Sequence, residues 1–323
     1  MKLRVIFIGI TAVTCAAALI ISMSGCSSTA GQKPSSSKSQ AFSQTVKTDP
    51  SRQQDKTVQD NVPASQVKKV VMESKLLKRN MNLNIYLPKG YSTEKKYPVL
   101  YMIHGYSNNQ NAWIDMGINK KADELIEKNK IKPLIIVMPD IDNSYGINSS
   151  VEPGVKGGND QGMYEDYICK EIVSYVDANY STDTSRDNRY IGGLSMGGFV
   201  ALHLGLAHTD LFSRVGGHSP AVWVDTQKDS TAVYMTKWLY PDKKQRNLRD
   251  PLILAENKDL SKTAVYLDCG NQDGYRFFEG CLKLYSILNS KGVNVQLHLA
   301  PGKHDSAYWM SNLENYLLFY AGV

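Results

Sequence analysis

The chain has no Cys-x-x-Cys pair and no group of histidines at metal-ligand spacing, so the usual sequence signs of a zinc site are missing. Cysteine itself is scarce. Of five, Cys15 and Cys26 lie in the N-terminal segment, leaving Cys169, Cys269 and Cys281. An odd number permits one disulfide at most, Cys269 with Cys281, and three buried free thiols fit equally well. No internal repeat is visible. There is also little surplus charge. The 323 residues carry 37 Lys and Arg against 31 Asp and Glu, a net +6, and residues 1–66 hold +4 of it. A remainder of +2 gives no basic face for nucleic acid. The expectation is a protein without metal, cofactor or nucleic-acid partner.

What is present begins with an export signal. Lys2 and Arg4 precede an apolar run over residues 5–22, and Met-Ser-Gly-Cys at 23–26 sets small residues before Cys26. That ending resembles a bacterial lipobox, which implies cleavage and a lipidated Cys26. An uncleaved membrane helix is the alternative, and either way the N-terminus tethers an exported domain to a membrane. Residues 27–66 are rich in Ser, Thr, Gln and Lys and nearly lack apolar side chains. They cannot offset their own ordering entropy, so the segment reads as a disordered spacer. Residues 67–323 remain as one domain.

Within it, strand-like and helix-like patterns alternate. VKKVVMES and MNLNIYLP read as an antiparallel pair of opening strands. Compact apolar runs at 97–105 and 133–140 suit strands buried on both faces. Helices are expected near 120–130 and over 162–180, where Tyr164, Ile168, Ile172, Val176 and Tyr180 recur every four residues. RYIGGL, LFSRVGGHS, TAVYLDCG and VNVQLHLA read as further strands, with helices after the first, between the last two, and at 306–321. This order predicts an α/β fold, a mostly parallel sheet with helices on both faces.

The chemistry centres on Gly193-Leu194-Ser195-Met196-Gly197, which follows a strand and opens a helix. A serine there is a nucleophile if a base takes its proton. His304, in the loop leaving the last strand, sits at the end of the sheet where parallel-sheet enzymes carry their chemistry. His218 ends a strand and is able to approach. His203 points sideways or away from the turn, and His298 reads as a core or satisfied polar residue. The orienting acid lies between serine and histidine in chain order: Asp273 in a loop flanked by glycines, with Asp268 as the fallback. Oxyanion donors are expected from the backbone N–H of Met196 and of Tyr106, with Gly105 as an alternative to the latter. His104 would shape that loop. The segment 219–247 carries Trp223, Tyr234, Trp238 and Tyr240, aromatics suited to stacking on a sugar or phenolic ring or to packing a lid.

Four separated segments, YPVLYMIHGYSNNQNAW, YIGGLSMGGFVALHLGLAH, RDPLILAENKDLSKTAVYLDCGNQDG and PGKHDSAYW, resemble the esterase D, or putative-esterase, family of α/β-hydrolases. The resemblance runs from Tyr97 to Trp309 and implies an α/β-hydrolase fold. It puts Ser195, Asp273 and His304 in the catalytic positions and Tyr106 and Met196 at the oxyanion. It implies an exported carbohydrate esterase that removes feruloyl or acetyl groups from plant polysaccharide through an acyl-enzyme. His104, Trp113, Trp223 and Trp309 are then candidate substrate contacts. An acyltransferase with the same triad, or a non-catalytic carbohydrate-binding lipoprotein, are the competing readings.

Overall fold

Strands β1 (Gln66–Ser74) and β2 (Arg79–Leu87) form the antiparallel pair that opens an eight-stranded sheet. They are followed by β3 (Val99–Ile103), β4 (Ile135–Pro139), β5 (Arg189–Leu194), β6 (Arg214–His218), β7 (Ala264–Gly270) and β8 (Asn294–Ala300). The computed structural model describes residues 62–149, 161–224 and 230–323. The export signal, Cys26 and the spacer up to residue 61 lie outside them. The spacer's last residues are anchored. The Pro63 carbonyl accepts the Gly90 N–H at 2.8 Å, and the Ser65 hydroxyl donates to Asp123 at 2.7 Å. No described helix is long and apolar enough to cross a membrane.

The spatial order is β1-β2-β4-β3-β5-β6-β7-β8, with β2 antiparallel to β4 and every pairing from β4 to β8 parallel. The chain turns one way from β3 to β4 and the other way to β5. The ends of β3 and β5 therefore flank the reversal point, where open α/β sheets form their crevice. The helices are α1 (Ala112–Asp115), α2 (Ile118–Glu127), α3 (Tyr164–Asp166), α4 (Val173–Asn179), α5 (Met196–Ala207), α6 (Ser230–Leu239), α7 (Lys243–Arg249), α8 (Pro251–Asn257), α9 (Phe277–Ser290) and α10 (Ser306–Ala321).

Every residue of β3, β4 and β5 is buried. Alternation sorts their side chains into two cores. Val99, Tyr101 and Ile103 pack with α5 and α9 on one face, while Leu100 and Met102 pack with α2 and α10 on the other. Helix α5 is buried along almost its whole length, which explains why it shows no polar stripe.

Three readings are adjusted. The helix expected at 120–130 starts and ends earlier, as α2, and LFSRVGGHS contributes only Arg214–His218 to the sheet. The helix expected over 162–180 contains a π-helical stretch, Tyr167–Ile172, between α3 and α4. A strict four-residue apolar repeat drifts by about 40° per step on an α-helix, and the wider π turn brings Ile168 and Ile172 back onto the core. Cys169, Cys269 and Cys281 are all buried free thiols, so no disulfide joins Cys269 to Cys281.

Candidate active site

Ser195 sits between β5 and α5 with φ 55° and ψ −117°, a backbone conformation few residues other than glycine adopt. Neighbouring strands hold it there. Its N–H donates to the His218 carbonyl at 2.9 Å and its carbonyl accepts the Ala221 N–H at 2.9 Å. A Cβ at Gly193 would overlap the Gly197 carbonyl, and one at Gly197 would overlap the Ile103 carbonyl. The two flanking glycines are therefore required by close approach of β5, α5 and β3. The turn lifts the hydroxyl off the sheet at the start of α5, where the first N–H groups have no intrahelical acceptor.

The structure brings Ser195, His304 and Asp273 together. The Ser195 hydroxyl donates to His304 Nε2 at 2.8 Å, and His304 Nδ1–H donates to Asp273 Oδ2 at 2.8 Å. An ionised carboxylate can only accept, so the bond to Asp273 puts the imidazole proton on Nδ1 and leaves Nε2 able to take the serine proton. Asp273 is buried and accepts two further hydrogen bonds. Oδ1 accepts the Tyr275 N–H at 2.8 Å and Oδ2 accepts the Cys269 thiol at 3.3 Å. The imidazole of His304 is caged edge-on by Tyr275, Phe277 and Trp309, with ring centroids 5.0, 5.3 and 5.1 Å away. Such a cage limits rotation of the imidazole.

The loop after β3 closes the other side. The Gly105 carbonyl accepts His104 Nδ1–H at 2.8 Å and the Asn108 N–H at 3.2 Å. Across a trans peptide the carbonyl and the next N–H point opposite ways, so the Tyr106 N–H faces away from those partners. A Cβ on Gly105 would lie 3.6 Å from that of Ser195, which sets this peptide beside the nucleophile. A cavity of about 540 Å³ opens above Ser195 and His304, with Tyr106, Tyr145, Trp223 and Phe277 among its walls. Burial pushes the Tyr145 hydroxyl pKa up, keeping it neutral. Trp223 Nε1 is buried and has no hydrogen-bond partner among the described residues.

Several expected residues lie elsewhere. Trp223 and Trp309 line the cavity, but His104 and Trp113 do not. His104 Nε2 accepts the Ile141 N–H at 3.0 Å, and Trp113 Nε1 donates to the Ile103 carbonyl at 3.0 Å, so both support the loop from beneath. His218 does not approach Ser195 with its side chain. It forms a second buried pair with Asp268, Nδ1 to Oδ1 at 2.8 Å, and the other Asp268 oxygen accepts the Tyr316 hydroxyl at 2.9 Å. His298 is exposed on edge strand β8, where its ring stacks on Tyr266 at 4.7 Å and Nε2 pairs with the Gln296 side-chain oxygen at 3.3 Å, so the polar role holds and the core one does not. His203 is buried beside Glu165 and away from the cavity. Tyr145, Met235, Tyr275 and Phe277 line the cavity without having been singled out in the sequence. For the three aromatic ones the only signal was an excess of aromatics in the sequence around them. Among the described residues no group of His, Cys, Asp and Glu is arranged to hold a metal ion.

A family model described as "Putative esterase" matches residues 74–320. An endo-1,4-beta-xylanase/feruloyl esterase of Xylanibacter ruminicola is 30% identical over 174 residues, which is 52% of this chain and 23% of that protein. The match thus takes in under a quarter of that relative's length. An acetyl esterase of Caldicellulosiruptor saccharolyticus is 21% identical over 264 residues, covering 75% of this chain and 93% of the other. Among solved structures, a ferulic acid esterase superposes with a TM-score of 0.67 at 26% identity, over 80% of this chain and 97% of that one. A ferulic acid esterase of Anaeromyces mucronatus, in complex with ferulic acid, shares the fold with a TM-score of 0.61 at 23% identity, over 82% and 94%.

Proposed function

The chain belongs to the putative-esterase family, and on that premise we propose that it is a serine carboxylic-ester hydrolase working through an acyl-enzyme. The observation that carries this reading is the continuous relay from Ser195 through His304 to Asp273, two contacts of 2.8 Å in the floor of an open cavity. His304 Nε2 takes the proton as Ser195 Oγ attacks the ester carbonyl carbon. Asp273 holds the imidazolium so formed. The N–H groups of Tyr106 and Met196 receive the oxyanion, and each such donor lowers the barrier by about 3 kcal/mol. When the tetrahedral adduct collapses, the alkoxide leaves with the proton from Nε2, and Ser195 keeps the acyl group. Water then gives a proton to Nε2 as it attacks the acyl carbon, and when this second adduct collapses Nε2 returns the proton to Ser195 Oγ and the acid leaves.

The acyl group we assign is aromatic, a feruloyl-type ester on plant polysaccharide. A cavity of about 540 Å³ walled by Tyr, Trp and Phe is far larger than an acetyl group needs and suits an aromatic acyl group. The names of two relatives, a xylanase/feruloyl esterase and a ferulic acid esterase, point the same way. The basic and apolar N-terminal segment and its Cys26 support export and a membrane tether.

The test is labelling of the full-length protein with a fluorophosphonate probe, beside Ser195→Ala and His304→Ala. The unaltered protein should label and the variants should not; an unlabelled wild type sinks the hydrolase reading. Rates on methyl ferulate, 4-nitrophenyl acetate and acetylated xylan then rank the acyl groups, with methyl ferulate expected first.

A further inference from the structure

We infer that Ser219, which lies outside the cavity, is a positioning residue: its hydroxyl holds Trp309, and Trp309 keeps the His304 imidazole turned toward Ser195. The inference rests on the ester-hydrolase reading above. Ser219 directly follows β6 and is fully buried. Residues on either side of it hold the nucleophile's backbone, His218 with its carbonyl and Ala221 with its N–H, each at 2.9 Å. Between them Pro220 packs on the first turn of α5, where a Cβ on Gly198 would fall 2.8 Å from its Cα. The Ser219 N–H extends the pairing of β6 with β7 by donating to the Asp268 carbonyl at 2.7 Å. The segment is therefore fixed relative to Ser195, and a group bonded to the Ser219 side chain is fixed with it.

That group is the indole of Trp309, whose Nε1–H donates to Ser219 Oγ at 3.3 Å. Trp309 stands in the first turn of α10, shortly after His304, and its ring meets the imidazole edge-on at 5.1 Å. The other two rings around the imidazole, Tyr275 and Phe277, come from the segment that carries Asp273. Trp309 instead is tied to the segment that clamps the serine. The bond from Nδ1–H to Asp273 restrains one edge of the imidazole. Nε2 meets Ser195 Oγ only while the ring also keeps its tilt, and a wall fixed to the serine's own clamp supplies that restraint. The backbone of Ser219 agrees with such a role. Its φ of 45° is one that glycine takes freely and that strains a residue with a Cβ. Serine adds one polar group that glycine lacks, and that hydroxyl accepts from Trp309.

Ser219→Ala and Ser219→Gly each remove the hydroxyl from the full-length protein, and Ser219→Gly also relaxes the backbone. Both should lower kcat about fivefold, the worth of one neutral hydrogen bond, on methyl ferulate and 4-nitrophenyl acetate alike. KM should stay within about twofold, because Ser219 lines no part of the cavity. Tm of Ser219→Gly should equal or exceed that of Ser219→Ala. In a Trp309→Phe background, where the N–H is already gone, Ser219→Ala should change kcat by less than about twofold. An unchanged kcat in Ser219→Ala, full additivity of the two substitutions, or kcat restored in Ser219→Gly overturns the inference. If the wild type neither cleaves an ester nor labels with the fluorophosphonate, the hydrolase reading is what has failed. The inference is then read from the His304 Nδ1–H proton in NMR spectra, assigned by its loss in His304→Ala. A signal that is sharp in the wild type and broadened by Ser219→Ala supports it. A signal missing from the wild type, or unchanged by Ser219→Ala, overturns it.

Discussion

Two buried aspartates stand five residues apart, each bonded to a histidine at 2.8 Å, and their removal should have opposite consequences. Asp268 is fully enclosed between β6, β7 and α10, where its side-chain oxygens accept from His218 and Tyr316. Asp268→Ala leaves the imidazole and the Tyr316 hydroxyl without their acceptor in a fully buried site. Each orphaned group costs about 1–3 kcal/mol, and breaking a buried pair costs about 3–5 kcal/mol. A loss of about 4 kcal/mol is expected, which for a domain of this size lowers Tm by about 8–16 °C. Activity of the folded fraction should stay within tenfold. Asp273→Ala should do the reverse. His304 borders the open cavity, so the stability cost is about 1–2 kcal/mol, while kcat falls about 10⁴-fold through loss of the correct imidazole tautomer. Thermal unfolding followed by circular dichroism, with initial rates on methyl ferulate at 20 °C, reads both. A thousandfold loss of kcat in Asp268→Ala with Tm unchanged would transfer the orienting role to Asp268 and refute this reasoning.

Cys269→Ala deletes the thiol that donates to Asp273 Oδ2, and kcat should fall about threefold and recover in Cys269→Ser, whose hydroxyl can donate in its place. A Ser variant no better than Ala would make the contact incidental. Burial would raise the Glu165 carboxyl, but the facing imidazoles of His203 and His208 outweigh it and hold it well below the usual carboxylate range. A depressed folded-state pKa contributes stability that is complete above about pH 4.5 and is lost as pH falls toward the folded value. The Tm advantage of the unaltered protein over Glu165→Gln should therefore shrink between pH 5 and pH 3, and an advantage that grows on acidification contradicts this assignment.

The contrast between the two aspartates also shows what the sequence could and could not disclose. Gly193, Ser195 and Gly197 declare themselves because the close approach of three elements demands small residues at fixed spacing. Asp273 and His304 were legible by chain order and by their place in loops beyond strand ends, where no pleat dictates their direction. Asp268 and His218 lie inside strands, where direction is decided by face. They are register partners on β7 and β6, and alternation turns both side chains toward α10, away from the serine. Residue spacing alone does not say which face the nucleophile occupies, so His218 looked able to reach it. The signal that would have separated them is spread over three segments. Gly192 and Gly216 are also register partners, and a Cβ at either would strike the Tyr320 hydroxyl. Tyr316 and Tyr320, one helical turn apart on α10, occupy that opening, and Tyr320 lies 3.2 Å from His218 Nε2. Of the paired glycines in RYIGGL, Gly193 serves the nucleophile and Gly192 serves the opposite face. Only the pairing of β5 with β6 makes that division visible, because it depends on a tyrosine more than one hundred residues downstream.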